Sequence, residues 1–444
     1  MKNLPRISTF QVFKNAQRIL KNPLPFHHQN FTKFGDHFRV KLGTKESVLF
    51  TRNPELIKHV LQKQHKIYWK SPLQTVDLAK YIGHGILTSN GEHWRTHRRM
   101  VQPAFHKKKL SNLLGIMLET IRLELKRIEP DTVQDAFSLM GDLAFQVVAT
   151  SLFSTSDSRS RMARLKKITE DNQQMLIKEM RQPYLKWWYR LKGDISTHLG
   201  YAEEARNILL ERIEARRLSV QEKDDVLDML LRATYEDGSS MSNSQLIDEV
   251  LILFTAGHET TANALSFTLF LLATHPEIQK KAFKEVTQVE FETSNLMEVL
   301  GRLPYCRQCL EEAMRLYPPV YVIDRIATED DQYKDIHIPK GTLVLLSIYE
   351  LHRYENFWDR PSVFNPDRFA MADKKEIGDY YYPFGAGPRM CVGNNFAMYE
   401  MIFTIAEIIK KFELSSPIQS MEINPLISLK PKNVPIQFKE RHIG

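Results

Sequence analysis

Cysteine is nearly absent from this chain: Cys306, Cys309 and Cys391 are the only three in 444 residues. So sparse and odd a set excludes a disulfide framework and points to a reducing compartment. Linkers, internal repeats and low-complexity tracts are missing too, so residues 1–444 read as one folding unit. The N-terminal stretch MKNLPRISTFQVFKNAQRIL interleaves charges and apolar side chains too finely for a signal-peptide core or a membrane anchor. The expectation is no anchor and a cytoplasmic location. A formal net charge of +8 comes without a nucleic-acid motif or a dominant basic tract, which favours acidic protein partners over nucleic acid. Charge-free apolar runs of bilayer-spanning length are also lacking. Residues 250–274 are long enough to cross a bilayer, but they carry His258, Glu259 and Asn263 near the middle, which lipid would penalise. The segment reads as a helix buried inside a large protein.

What is present is an ordinary globular composition, 43% hydrophobic and 26% charged, enough for a large core. FRVKLG (38–43) and SVLFT (47–51), separated by Thr44, Lys45 and Glu46, predict a β-hairpin within a β-rich margin at about 35–55. Asn53-Pro54 then opens a helical pattern with Asn53 as cap. From about 92 to 317 the apolar spacing is mostly helical, broken by the polar turn DGSSMSNS at 237–244. Beyond Pro318-Pro319, IHIPKGTLVLLSI predicts paired strands, an irregular aromatic-rich meander leads into a cysteine loop over about 355–395, and PLISLKPKNVPIQF alternates like an edge hairpin. The fold class expected is mainly α with small β-sheets at the margins.

One stretch stands out chemically: FGAGPRMCVG (384–393) sets Cys391 among three glycines and an arginine, a loop suited to presenting a sulfur to a flat partner. Cys306-Arg-Gln-Cys309 has no second pair for zinc, and Leu310 excludes covalent haem attachment through CxxCH, so these thiols read as packing residues on a helix face. His258-Glu259 begins like the HExxH helix of zinc hydrolases, but position 262 is alanine. Three more patches lie in order along the chain: AGHETT (256–261), EEAMRLYPP (311–319) and NPDRF (365–369).

With these four marks in sequence, the chain resembles the cytochrome P450 haem-thiolate monooxygenases, of the soluble bacterial type with a stand-alone haem domain. The resemblance runs from the first hairpin to the last strand. The cysteine loop matches F-G-x-G-x-R-x-C-x-G through Phe384, Gly385, Gly387, Arg389, Cys391 and Gly393. It implies haem b held non-covalently between a long central helix and this loop, with the Cys391 thiolate as axial iron ligand. Phe384 would shield the sulfur, backbone N–H groups after Cys391 would tune it, and Arg389 would pair with a haem propionate. Glu312 and Arg315 supply ExxR, three apart on one helix face, and Arg368 completes the implied structural triad. Trp94 and Arg98 match a W-x-x-x-R propionate contact and Arg325 another, leaving His97 and Arg99 expected to face solvent. Ala256 and Gly257 would lie over the haem, Gly257 giving dioxygen room. Glu259 and Thr260 would form the acid–alcohol pair that supplies protons, Thr260 also bonding back one turn.

By position in the pattern, Leu87, Ala256, Val320, Ile323 and Ile427 should face the substrate space, with His84, Tyr321 and Asp324 able to make it more polar. The apolar set implies a small hydrophobic substrate. Fatty acyl or isoprenoid hydroxylation leads, and oxidative O-demethylation of a methoxy compound such as a methoxy sugar is the rival. The aromatic cluster YLKWWYR (184–190) would be a channel lip, a sugar-stacking surface or, by default, a helix-packing patch. Electrons would come from a separate ferredoxin or flavodoxin, with HKKKL (106–110) and the nearby Arg95 and Arg99 as a basic docking surface. The competing class, a haem-thiolate gas or ligand sensor without turnover, has no use for a Glu259–Thr260 pair.

Overall fold

Prolines and polar caps divide the helical sequence. The computed structural model describes residues 4–42, 46–154, 159–219, 223–293, 295–371 and 377–442. The helices that frame the site are α1 (Gly91–Val101), α2 (Lys107–Leu125), α3 (Ala136–Phe153), α4 (Arg159–Arg181), α5 (Lys186–Leu191), α6 (Asp194–Leu218), α7 (Asn243–Thr274), α8 (Pro304–Leu316) and α9 (Asn394–Lys411). Helix α7 has 32 residues, which makes it about 48 Å long. The Ser242 hydroxyl caps it by accepting from the Gln245 N–H at 3.2 Å. Most of its side chains are buried, the polar Asp248, Glu249, His258 and Asn263 among them. It lies against α3, where the Phe145 and Phe254 rings meet edge to face with centroids 4.8 Å apart. Pro276 opens the next helix and so ends α7 at His275. Among the described residues the helix long and apolar enough to cross a membrane is α3, and most of it is buried within the protein.

A six-stranded sheet flanks the helices. Its strands are β1 (Arg6–Ile7), β2 (His37–Leu42), β3 (Glu46–Thr51), β4 (Tyr68–Trp69), β6 (Val322–Ala327) and β9 (Leu343–Ser347), in the order β1-β2-β3-β9-β6-β4. Strands β2 and β3 pair antiparallel from His37↔Thr51 to Leu42↔Glu46, as the hairpin reading predicts; of its turn, Thr44 and Lys45 lie outside the described residues. Asn53 caps the following helix by accepting from the Leu56 N–H at 3.0 Å.

Two strand expectations need correction. IHIPKGTLVLLSI forms two strands, β8 (Ile336–Ile338) and β9, that do not pair with each other. Strand β8 pairs with β7 (Asp331–Tyr333), while Gly341 and Thr342 bond to Ala327 at the end of β6 and steer the chain into the larger sheet. The C-terminal alternation also divides. β12 (Leu429–Pro431) folds back on β11 (Ile423–Pro425), whereas β13 (Pro435–Glu440) is the middle strand between β10 (Phe412–Ser415) and β5 (Val133–Asp135). Val434 is tied to the start of α3 through Asp135 and Ala136, which carries β13 away from the hairpin. Period-two alternation identifies a strand but not its partner.

Candidate functional site

Helix α8 builds the first part of the site. Pro304 sits in its first turn and Pro318-Pro319 follows its end, so Glu312 and Arg315 stand on a helix with both limits set by proline. Arg315 is completely buried and makes five hydrogen bonds: two to the Glu312 carboxylate at 2.7 and 2.8 Å, and three to the carbonyls of His352, Pro361 and Val363 at 2.8, 2.8 and 3.2 Å. Glu312 also accepts from Arg368 Nε at 3.1 Å and from the Asn365 N–H at 3.0 Å. The structure therefore brings Glu312, Arg315 and Arg368 together and uses them to hold the segment before the cysteine loop.

The loop follows from that support. Its entry is fixed by the Tyr382 N–H donating to His352 Nε2 at 2.9 Å, and the Cys391 N–H donates to the Phe384 carbonyl at 2.9 Å. Gly387 has φ +71°, and a Cβ there would lie 2.1 Å from the Leu61 carbonyl oxygen, so only glycine lets the loop press this closely on its neighbour. Phe384 and Gly385 are half-buried, and Gly393 stands at the cap of α9, two residues past Cys391. Cys391 is exposed as a residue, yet the surrounding protein desolvates its thiol. Desolvation pushes it up, and the Gly393 N–H and the Arg98 and Lys70 charges pull it part of the way back.

Beside the thiol lies a set of cations. Arg389 stacks on Trp94 at 4.1 Å and donates to the Ser89 carbonyl and Asn90 Oδ1, both at 3.0 Å. Arg98 donates to the Met390 carbonyl at 2.8 Å and to Gln102 at 3.0 Å, Arg325 to the Asp324 carbonyl at 2.7 Å, and Lys70 to the Leu87 carbonyl at 2.7 Å. These acceptors are all neutral. Asp324, the nearby carboxylate, is occupied by Ser71 and Gln74. Burial, followed by the Arg325 and Arg95 charges, brings Arg389 down to about 9. Burial, with Arg325, Arg389 and Arg98 adding to it against Asp324, pushes Lys70 well down. Crowded cations with neutral acceptors call for an anion. One accessible thiol next to that cluster suits an iron porphyrin with two carboxylates, so the residues present fit haem.

Lys70 was invisible in the sequence because no local pattern marks it; its place depends on β4 lying beside β6. His97 overturns an expectation. It is buried, not solvent-facing, with Nδ1 3.2 Å from Glu249 Oε1. Trp94, His97, Met100 and Val101 form one buried stripe of α1, so the three-residue spacing from Trp94 turns His97 inward. Arg99 is exposed as expected and pairs with Glu236 and Glu92.

On α7, Ala256 is exposed, while the missing side chain of Gly257 faces a neighbouring helix: a Cβ there would lie 3.2 Å from Val148 Cγ2 on α3. Gly257 thus serves the close approach of two helices. Consecutive helical residues point about 100° apart, which separates the two. Thr260 donates its hydroxyl to the Ala256 carbonyl at 2.9 Å, the back-bond expected from sequence. Glu259 turns toward the C-terminal hairpin, where it accepts from the Ser428 hydroxyl and pairs with Lys430 Nζ at 2.9 Å. Burial raises its carboxyl, but Lys430, Ser428 and His258 together hold it below the ordinary glutamate range.

The remaining residues divide. Leu87 is half-buried, and Val320 and Ile427 are 38% and 41% exposed, free to line a space. Ile323 is not; it is buried beneath the cysteine loop with its Cδ1 3.8 Å from where a Gly385 Cβ would stand. Strand alternation puts Ile323 on the same face as Arg325. Tyr321 donates to the Leu426 carbonyl at 2.8 Å, and His84 is exposed. In α5 and the turn before it, Tyr184, Trp187 and Trp188 are exposed, so the packing default fails there and only Tyr189 is buried. Lys107, Lys108 and Lys109 are exposed in the first turn of α2. Among the described residues no group of three or more histidine, cysteine and acidic side chains is placed to hold a metal ion. Cys306 and Cys309 are fully buried, as expected of packing residues.

The cytochrome P450 family profile matches residues 3–438. Among curated proteins the chain is 29% identical to cytochrome P450 CYP72A219 of Panax ginseng, over 93% of this chain and 83% of that protein. It is 32% identical to cytochrome P450 4A2 of Rattus norvegicus, over 86% and 79%. It is 31% identical to cytochrome P450 4A11 of Homo sapiens, over 76% and 69%. These relatives come from a plant and from mammals and lend no support to a bacterial type.

Proposed function

This chain belongs to the cytochrome P450 family, and on that premise we propose how its own residues serve the monooxygenase reaction. The enzyme uses haem b with a cysteine thiolate axial ligand, together with O2, an organic substrate and a redox partner. We assign the ligand to Cys391; the observation that carries this is the single accessible thiol beside Lys70, Arg98, Arg325 and Arg389. The haem, when bound, supplies an iron whose thiolate ligand donates electron density and favours O–O cleavage.

The protein's part is binding, orientation and proton supply. Trp94 holds the Arg389 guanidinium in place by stacking, and the four cations receive the cofactor's carboxylates. Gly387 and the Glu312–Arg315–Arg368 network fix the loop so that the sulfur is presented without search. Ala256 leaves room on the α7 side. Thr260 orients a hydroxyl there, and Glu259 carries protons toward it.

Substrate space bordered by Leu87, Ala256, Val320 and Ile427 favours a small hydrophobic molecule. The finer proposal is hydroxylation of a fatty acyl or isoprenoid compound, with O-demethylation of a methoxy compound as the second reading, favoured by the exposed Trp187 and Trp188 as a sugar-stacking surface. A soluble, cytoplasmic enzyme served by a ferredoxin or flavodoxin at Lys107–Lys109 completes the proposal.

The test is spectroscopic. Ferrous protein with carbon monoxide should give the far-red-shifted Soret band of thiolate ligation, and a Soret band of imidazole type refutes the assignment. A panel of fatty acids, isoprenoids and methoxy sugars, scored by the low-to-high-spin shift and then by product per O2, separates the substrate readings. Full substrate binding with no O2 consumption under a surrogate reductase would favour the sensor.

A further inference from the structure

Helix α4 ends on Arg181, and that end meets the hairpin of β11 and β12. The half-buried Arg181 donates from Nη2 to the Pro425 carbonyl at 3.0 Å. Pro425 leads directly into Leu426 and Ile427, and Ile427 and Val320 are exposed apolar side chains assigned above to the substrate space. Tyr321, next to Val320, donates its hydroxyl to the Leu426 carbonyl at 2.8 Å. Burial pushes that hydroxyl up to about 12 against the pull of the Arg181 charge, so the guanidinium stands beside this apolar rim.

Arg181 is a cation without an anion. Among the described residues its hydrogen-bond partner is one neutral carbonyl, which leaves most of the guanidinium's N–H groups unused. The carboxylates of the surrounding elements are already matched. Glu179, two residues earlier on α4, accepts from Lys80 at 2.6 Å and from Tyr81 at 2.9 Å. Asp77 pairs with Lys186 of α5 at 2.9 Å, Glu422 with Lys432 at 2.5 Å, and Glu259 with Lys430 at 2.9 Å. Nor does the hairpin depend on Arg181 for its place. Asn263 Nδ2 donates to Ser428 Oγ at 3.0 Å, and the Leu429 N–H donates to the Pro319 carbonyl at 2.8 Å, in addition to the bond from Tyr321.

We propose that Arg181 determines substrate specificity by taking the carboxylate of an aliphatic acid whose apolar tail runs past Val320 and Ile427 toward Ala256. This rests on the monooxygenase reading above and narrows it to fatty or isoprenoid acids, oxidised at a carbon remote from the carboxylate. A planar guanidinium offers paired N–H groups that match the two oxygens of a carboxylate. At a half-buried apolar rim that pair is screened less than in bulk water. No bond of the carboxyl group is made or broken; the pairing fixes which end of the molecule enters first. A neutral methoxy sugar has no anion to offer, so the same arginine counts against that reading.

The experiment titrates haem-loaded enzyme with octanoic, dodecanoic and hexadecanoic acids, each beside its methyl ester, and follows binding by calorimetry and by the spin shift. In wild type the best acid should bind about tenfold more tightly than its ester. Arg181→Met should lose that advantage by weakening the acid and not the ester, and hydroxylation should spread over more positions of the chain. Arg181→Lys, which keeps the charge but not the fork, should recover part of the acid's affinity. Equal loss of acid and ester in Arg181→Met overturns the inference, because the arginine would then only shape the hairpin. So does a wild type that binds acid and ester alike, or one that responds to methoxy sugars and to no acid. A wild type without the thiolate spectrum refutes the functional reading instead, and the calorimetric preference for acid over ester then decides for Arg181 by itself.

Discussion

Two of this enzyme's cation-paired glutamates, Glu312 and Glu259, are held very differently. Glu312 is fully buried and accepts from two arginines and a backbone N–H, while its main partner Arg315 spends three further donors on carbonyls. Glu259 has one lysine and one hydroxyl, and both ends of the pair keep some contact with water. In the first network Arg315 has no donor to spare and cannot rearrange without stranding a charge. The second can exchange either partner for water. On the assignment proposed above, rigidity belongs under the cysteine, where ligand geometry must be fixed, and freedom belongs at Glu259, proposed to move protons.

That contrast breaks most visibly at Arg315. Arg315→Ala leaves the Glu312 carboxylate buried with Arg368 as its remaining cation and should cost roughly 3–5 kcal/mol. The expected result is protein without haem, read from the ratio of Soret to protein absorbance. Arg315→Lys should fare little better, because an ammonium cannot span the carboxylate and three carbonyls. Normal haem content in either variant would remove the idea of an over-determined support. Gly387→Ala probes the same side more gently. Its φ of +71° and the close Leu61 carbonyl should cost about 1–3 kcal/mol and speed haem loss, measured by transfer to an acceptor globin.

On the other side, effects should appear in turnover more than in stability. Thr260→Ala removes a hydroxyl bonded one turn back and should leave haem content and the substrate spin shift intact. Product per O2 should fall several-fold, on the order of 10-fold or more, with peroxide rising to match. Unchanged coupling would count against Thr260 as the acceptor of Glu259's protons.

Much of the cysteine side was legible because its signals are contiguous. FGAGPRMCVG, the three-residue step from Glu312 to Arg315 and the proline boundaries of α8 are all local, and the geometry follows from them. The hairpin side was not. Ser428 lies 169 residues beyond Glu259, and neither it nor Lys430 carries any local mark. Lys70 was missed for the same reason, since its role exists only where β4 meets β6. His97 shows a subtler failure: it lies inside a recognisable motif, yet a neighbour three residues away decides which way it faces, and helical phase turned it to Glu249. The strand partners of β8 and β13 were likewise hidden, because alternation records which face is buried and not what lies alongside.

The finest test of the contrast is Ser428→Ala. Ser428 accepts from Asn263 and donates to Glu259, so the change removes two bonds around one oxygen, a loss of about 1 kcal/mol for a typical hydrogen bond. Lys430 remains, and its charge acts on Glu259 more strongly than the hydroxyl does. Protonation of Glu259 should therefore move to higher pH, but by less than in Lys430→Met. The sign for stability follows: a carboxyl held low in the folded state adds stability above its unfolded value, and that contribution fades as pH falls through the folded one. Ser428→Ala raises the folded value, so the contribution should be smaller and its loss complete at higher pH than in wild type, visible in thermal unfolding of paired samples across the acid range. If Ser428→Ala instead shifts Glu259 as far as Lys430→Met does, the carboxylate is held by a directed hydrogen bond more than by charge. The two glutamates would then differ in exposure alone, not in the kind of force that restrains them.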